Sequence, residues 1–211
     1  SQRGYTRKRL QYLYYDKENQ MVLMTRTDVT DIYLEQKRQN KLLQRALMQA
    51  QTDPLTGLYN QAVKEMIAER LEGEDGIAAV LFMDLDNFKV INDTLGHIKG
   101  DLLLQEVAGV LKKTLRASDL SGRVGGDEFI ALLHPVSSPA GVRQCVQRIC
   151  SSVHSVMDRD FNDFSVTCSI GISMYPADGN DIAALVEKAD KAAYAVKRKG
   201  KNGFAFYSDL L

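Results

Sequence analysis

The chain carries no net charge: 27 Lys and Arg stand against 27 Asp and Glu over 211 residues. That absence excludes a polybasic nucleic-acid binder held by bulk charge, and equally an acidic disordered tail. Long hydrophobic runs are also missing. None approaches the roughly 18 residues of a membrane span, and no signal-peptide pattern is present. Cysteine is scarce, with only Cys145, Cys150 and Cys168. An odd set without metal-type spacing is expected to be reduced, buried thiols, which fits a cytoplasmic compartment. No Walker A pattern, internal repeat or low-complexity segment occurs.

What is present reads as globular. Hydrophobic residues make up 45% and charged residues 26%, enough for a core without staples. The zero charge hides an asymmetry, because residues 1–51 hold ten basic and five acidic side chains and the rest hold 17 and 22. The chain begins at Ser1 rather than Met, so a piece of a longer protein is expected. Residues 9–28 alternate β-formers around Asp16-Lys17-Glu18-Asn19 and predict a hairpin. Thr30 or Asp31 can cap a charged helix to about Gln51. Pro54 then marks a boundary, giving segments 1–29, 30–52 and 53–211. Beyond it the pattern is mixed. Helices are expected near 61–71, 99–117, 140–157 and 181–199, and strands near 77–83, 121–124, 128–133, 165–174 and 203–207. That order predicts an α+β fold, a sheet with helices packed over it.

Two acidic clusters carry chemistry. Asp84-Leu85-Asp86 follows the apolar strand IAAVLFM, where a rigidly held carboxylate can bind a hard cation with substrate phosphates. Taken alone, it reads more readily as a strand-end turn capped by Asp. A calcium loop is excluded, since Phe88 and Leu95 fall where a ligand and the closing Glu would be needed. The second cluster is Gly125-Gly126-Asp127-Glu128. Two glycines suit a tight hairpin with positive φ, but a plain hairpin has no need of two adjacent carboxylates. If its tip lies beside the first cluster, Asp84, Asp127 and Glu128 could share metal for displacement at phosphorus.

These residues carry a resemblance. Arg123-Val124 followed by GGDEF resembles the signature of the GGDEF family, the diguanylate cyclases. DPLTGLYN (53–60), FMDLDNFKVINDTLGHIKGD (82–101) and ADKAAYAVKRKGKN (189–202) stand in the family's order, over about three quarters of the chain. The resemblance implies a palm-like, nucleotidyl-cyclase-like fold with a mostly antiparallel central sheet. It implies condensation of two GTP into cyclic di-GMP with release of two pyrophosphates. Asp84, the Leu85 carbonyl and Asp127 match metal positions for Mg²⁺, with Mn²⁺ as the alternative ion. Asp127 also matches the proton acceptor, and Glu128 adds a second carboxylate. Asn92 and Asp101 match guanine readers, with His97 in the same segment. An Asp carboxylate accepts from guanine N1–H and N2–H₂ but leaves adenine N1 unmatched. Lys89, Lys197 and Lys201 match phosphate contacts, beside Gly125 and Gly126.

Arg116 and Asp119 match the RxxD site at which product inhibits. A homodimer is implied, since two GTP must face each other, and neither a nucleic acid nor a membrane is implied as a partner of this segment. Gln61 and Lys201 stand where Arg is usual, and Asn87 where an aromatic neighbour is common. Residues 1–51 resemble the tail of a PAS sensor domain and its signalling helix, which makes the following domain the cytoplasmic output module of a longer sensor, itself either soluble or membrane-bound. The rival reading is a catalytically silent GGDEF domain acting as a receptor for GTP or cyclic di-GMP.

Overall fold

The computed structural model describes residues 8–73, 76–161, 164 and 166–211. The expected strand start at Ser165 and the first seven residues of segment 1–29 lie outside the described residues. The chain divides into two compact units, Ser1–Ala50 and Gln51–Leu211.

In the first unit β1 (Arg9–Asp16) pairs antiparallel with β2 (Met21–Asp28). The turn falls one residue later than expected, with Gln20 at φ +52°. Helix α1 (Thr30–Gln51) follows, and Thr30 is already helical. The cap acceptor is Asp28, whose carboxylate takes the Thr30 amide at 3.0 Å. No side chain of α1 is buried, so Ile32, Leu42, Leu43 and Leu47 leave an exposed apolar stripe.

The second unit is an α+β sandwich. Its elements are α2 (Val63–Gly73), β3 (Ala78–Asp86), α3 (Phe88–Leu95), α4 (His97–Thr114), β4 (Leu120–Arg123), β5 (Glu128–Leu133), α5 (Pro139–Asp160), β6 (Thr167–Tyr175), α6 (Ile182–Arg198) and β7 (Gly203–Phe206). The five strands run in the order β4-β5-β3-β6-β7, antiparallel except for the β6–β7 pair. β3 is central and buried on both faces, which explains its unbroken apolar run. Its period-2 alternation still sorts the faces. Ala79, Leu81, Met83 and Leu85 join the core with α4 and α5, while Ala78, Val80 and Phe82 join the core with α2 and α6.

The structure has one α-helix more than expected. α3 is an added element, built on buried Phe88 and Ile91, and Gly96 at φ +81° separates it from α4. α4 also stops at Thr114, three residues short of the expected end.

Candidate active site

Backbone pairing assembles the acidic site. The β3–β5 register sets Asp84 directly opposite Glu128, and the Leu85 amide donates to the Asp127 carbonyl at 3.3 Å. Because both faces of these strands are buried, a one-residue slip would drive apolar side chains to the wrong layer. Asp84, Leu85, Asp127 and Glu128 therefore meet at one end of the sheet.

The tip between β4 and β5 is held from outside. Arg123 donates from Nε and Nη2 to the Gly126 carbonyl at 3.1 and 2.8 Å. Its Nη1 lies 3.3 Å from Asp53 Oδ2, a pair whose side chains are both mostly buried. Asp53 also accepts from Thr56 N and Oγ1 at 2.9 and 2.6 Å. Burial pushes the Asp53 carboxyl up, but the Thr56 hydrogen bonds and the Arg123 charge outweigh it and hold it below the usual range. The Gln61 side-chain amide donates to the Val124 carbonyl, so the unusual residue at 61 also braces the tip.

The glycines work differently from the sequence expectation. Neither Gly125 nor Gly126 adopts positive φ. A Cβ on Gly125 would lie 2.3 Å from Glu128 Oε2, so Gly125 makes room for that carboxylate. At Gly126 a Cβ would meet nothing, which leaves an open approach to the backbone.

Crowded carboxylates set the electrostatics. Burial, then the charges of Asp127 and Asp86, raise the Asp84 pKa against the opposing Lys197. Burial, then Asp84, Asp127 and Asp190, raise that of Glu128. Lys197 Nζ sits 2.6 Å from Asp84 Oδ2. Among the described residues no group of three or more His, Cys, Asp or Glu side chains is arranged to hold a metal alone. The set therefore does not fit a closed protein cage. Opposed, charge-strained oxygens do fit Mg²⁺, which takes one or two carboxylates and completes its shell with water and substrate phosphates.

A pH dependence follows. Folding raises both carboxyl pKa values, so the native state binds more protons than the unfolded chain from the ordinary carboxylate range up to the raised values. Stability of the metal-free protein is therefore expected to fall as pH rises through that window. Added Mg²⁺ should offset the loss above it, where the carboxylates are ionised. Thermal melts across pH 4–8, with and without Mg²⁺, check both signs.

The remaining expected residues fall into three groups. Lys201, in the turn after α6, donates to Asn87 Oδ1 at 2.6 Å, and Lys89 is exposed on α3. Lys197 and Lys201 thus flank the end of β3. Asn92 on α3 is half-buried, its Oδ1 pressed toward Gly100 so closely that a Cβ there would lie 2.0 Å away. His97 and Asp101 are exposed one turn apart on the same face of α4. Arg116 and Asp119 lie in the turn after α4 rather than on a helix. The Asp119 carboxylate accepts from the Arg116 and His134 amides at 2.8 and 3.2 Å. Both residues line a cavity of about 290 Å³ together with Arg148 of α5.

Sequence reasoning missed Arg148 and Asp190. Arg148 lies in no motif, and Asp190 lies in the 189–202 block but had no role assigned; only the packing of α5 and α6 on the sheet brings them to these sites. The role of Arg123 was half visible, since it belongs to the signature but its grip on Gly126 needs the folded tip.

A family model described as "Diguanylate cyclase, GGDEF domain" matches residues 50–203. The diguanylate cyclase DgcP of Pseudomonas aeruginosa is 40% identical over 181 residues, covering 81% of this chain and 24% of that protein. The diguanylate cyclase DgcS of Shewanella oneidensis is 35% identical over 160 residues, covering 74% of this chain and 52% of that protein. The chain thus spans a quarter to a half of these relatives. The coiled coil and GGDEF domain of DgcB from Caulobacter crescentus, solved in complex with c-di-GMP, is similar in structure. It superposes with a TM-score of 0.70 at 28% identity, covering 84% of this chain and 96% of that one.

Proposed function

We propose, from the premise that this chain belongs to the GGDEF-domain family of diguanylate cyclases, that it condenses two GTP into cyclic di-GMP and two pyrophosphates. The observation that carries this reading is the pairing of Asp84 against Glu128, with Asp127 tied to Leu85 and Lys197 and Lys201 alongside. A catalytically silent family member would have no need to hold three carboxylates in mutual repulsion.

The chemistry divides among the residues. Asp84, Glu128, Asp127 and the Leu85 carbonyl would hold Mg²⁺, which when bound supplies positive charge to the triphosphate and lowers the pKa of a bound hydroxyl. Asp127 takes the proton of the 3′-hydroxyl as its oxygen attacks the α-phosphorus of the facing GTP and pyrophosphate leaves. Lys197 gives up its Asp84 partner to a phosphate oxygen, and Lys201 and Lys89 neutralise others. Asn92 and Asp101 read guanine, with His97 on the Asp101 face, while Gly125 and Gly126 let the phosphates approach the backbone.

Each protomer holds one GTP, so a homodimer is required, and the exposed stripe of α1 supports pairing through that helix. No helix of the described residues is long and apolar enough to cross a membrane. Segment 1–52 we read as the output end of a cytoplasmic sensor. Chromatography after incubation with GTP and Mg²⁺, alone and mixed with ATP, tests the reading. Cyclic di-GMP as the sole cyclic product is expected; GTP binding without turnover by a dimer would sink it.

The cavity at Arg116, Asp119 and Arg148 we read as the product-inhibition site. Two guanidiniums there can grip phosphates or guanine edges in a planar fork. Arg148→Ala is expected to raise the cyclic di-GMP concentration for half-inhibition by about tenfold or more, measured from initial rates against added product.

A further inference from the structure

Asp86 belongs to the acidic cluster at the end of β3, yet no part of the proposed reaction uses it. Its side chain is 2% exposed, whereas Asp84 on the same strand face opens toward the site. A carboxylate buried that deeply persists only if its oxygens are satisfied. Asp86 Oδ2 accepts from Thr167 Oγ1 at 2.6 Å and from the Asn202 amide at 3.2 Å. Oδ1 accepts from Ser169 Oγ at 2.8 Å. Thr167 stands opposite Asp86 on β6 and Ser169 opposite Asp84, so two of the donors come from the neighbouring strand.

The third donor comes from the turn that carries Lys201. Gly200, Lys201 and Asn202 have φ of +120°, +64° and +52°. Two non-glycine residues in succession in the left-handed region need outside contacts to hold them. The contacts present are Asn202 N–H to Asp86, Lys201 N–H to the Val196 carbonyl at 3.0 Å, and Lys201 Nζ to Asn87 Oδ1. Adjacent residues at the end of β3 thus grip adjacent residues of the turn.

We propose that Asp86 is a positioning residue: its buried carboxylate fastens the 199–202 turn to the end of β3, so that the Lys201 ammonium and the Asp84 carboxylate are set relative to one another. Its oxygens are committed to Thr167, Ser169 and Asn202, so it is not a metal ligand. The consequence for GTP rests on the reading in which Lys201 meets substrate phosphate; the clamp itself does not.

Two measurements separate these. In Asp86→Asn an NH₂ replaces one acceptor oxygen, leaving a donor of the cluster unmatched. Amide hydrogen exchange at residues 199–203 should then quicken about tenfold to a hundredfold, the range for a hydrogen bond to a charged group, while α4 amides stay unchanged. The KM for GTP should rise about tenfold, more than kcat falls. In a Lys201→Ala background the same change should add little.

Unchanged exchange in a folded Asp86→Asn variant would overturn the clamp, and effects of Asp86→Asn and Lys201→Ala on KM that simply multiply would overturn its consequence for GTP. If Asp86→Asn does not fold, the wild type decides. Its Asn202 amide should be protected at least about tenfold relative to an unstructured peptide, and an unprotected amide refutes the proposal. A wild type that makes no cyclic di-GMP counts against the proposed function only, because exchange still reports on the clamp.

Discussion

Asp127→Asn is expected to lower cyclic di-GMP formation by at least about a thousandfold without unfolding the protein. The substitution is nearly isosteric. The backbone bond that fixes this position, Leu85 N–H to the Asp127 carbonyl, does not involve the side chain. Stability should hold or rise slightly, because Asp127 is one of the charges that raise the pKa values of Asp84 and Glu128. Two functions are lost together. An amide cannot accept the 3′-hydroxyl proton, and a neutral oxygen is a poorer ligand for Mg²⁺. Product chromatography beside a thermal melt checks the pair of expectations. An active Asp127→Asn protein would remove this residue from the chemistry, whereas an inactive and unfolded one would remove the argument that its role is local.

The second large effect is structural. Gly171 lies on β6, where it pairs with Phe82 of β3 and Ala205 of β7. A Cβ there would sit 1.8 Å from the Ala189 carbonyl oxygen and 2.4 Å from the Ala193 nitrogen. Both obstacles are backbone atoms of α6, so no rotamer change relieves the clash. The helix meets the strand through Ala189 and Ala193, both buried, at a distance only small residues allow.

Gly171→Ala should therefore cost about 3–5 kcal/mol, above the usual range for overpacking, or roughly 6–20 °C in Tm. Because α6 also carries Lys197, GTP affinity should fall in whatever fraction remains folded. Gly109→Ala is the control. It lies within α4 with nothing near its missing Cβ, so it should be neutral or stabilising by up to about 1 kcal/mol. Calorimetry on the two variants compares them. Equal melting points would refute the close-packing account.

Much of this was legible because short-range chemistry is written locally. The unbroken apolar run IAAVLFM, Pro54 after a charged helix, and GGDEF between two β-rich runs each point to one local structure. Legibility failed where the outcome depended on a partner distant in sequence. α3 was missed because its helical pattern shares one motif with the strand end before it, and Gly96 is the only break. Positive φ was assigned to Gly125 on the basis of turn chemistry, but the reason for glycine there is a Glu128 carboxylate folded back against it.

By itself, then, the sequence settled the fold class and most of the order of elements, because these follow from patterning and spacing along one chain. The residues expected to gather metal, phosphate and guanine were named through the family resemblance. Tertiary structure alone decided how the charges are shared out. Of the two aspartates at the end of β3, one is exposed to Lys197 and the other is buried to hold a turn. Identical side chains two residues apart acquire different tasks because β6 offers two hydroxyls, and the 199–202 turn an amide, to the second. The neutral total of 27 against 27 is likewise a sum over opposed local fields, and only the fold says where each one lies.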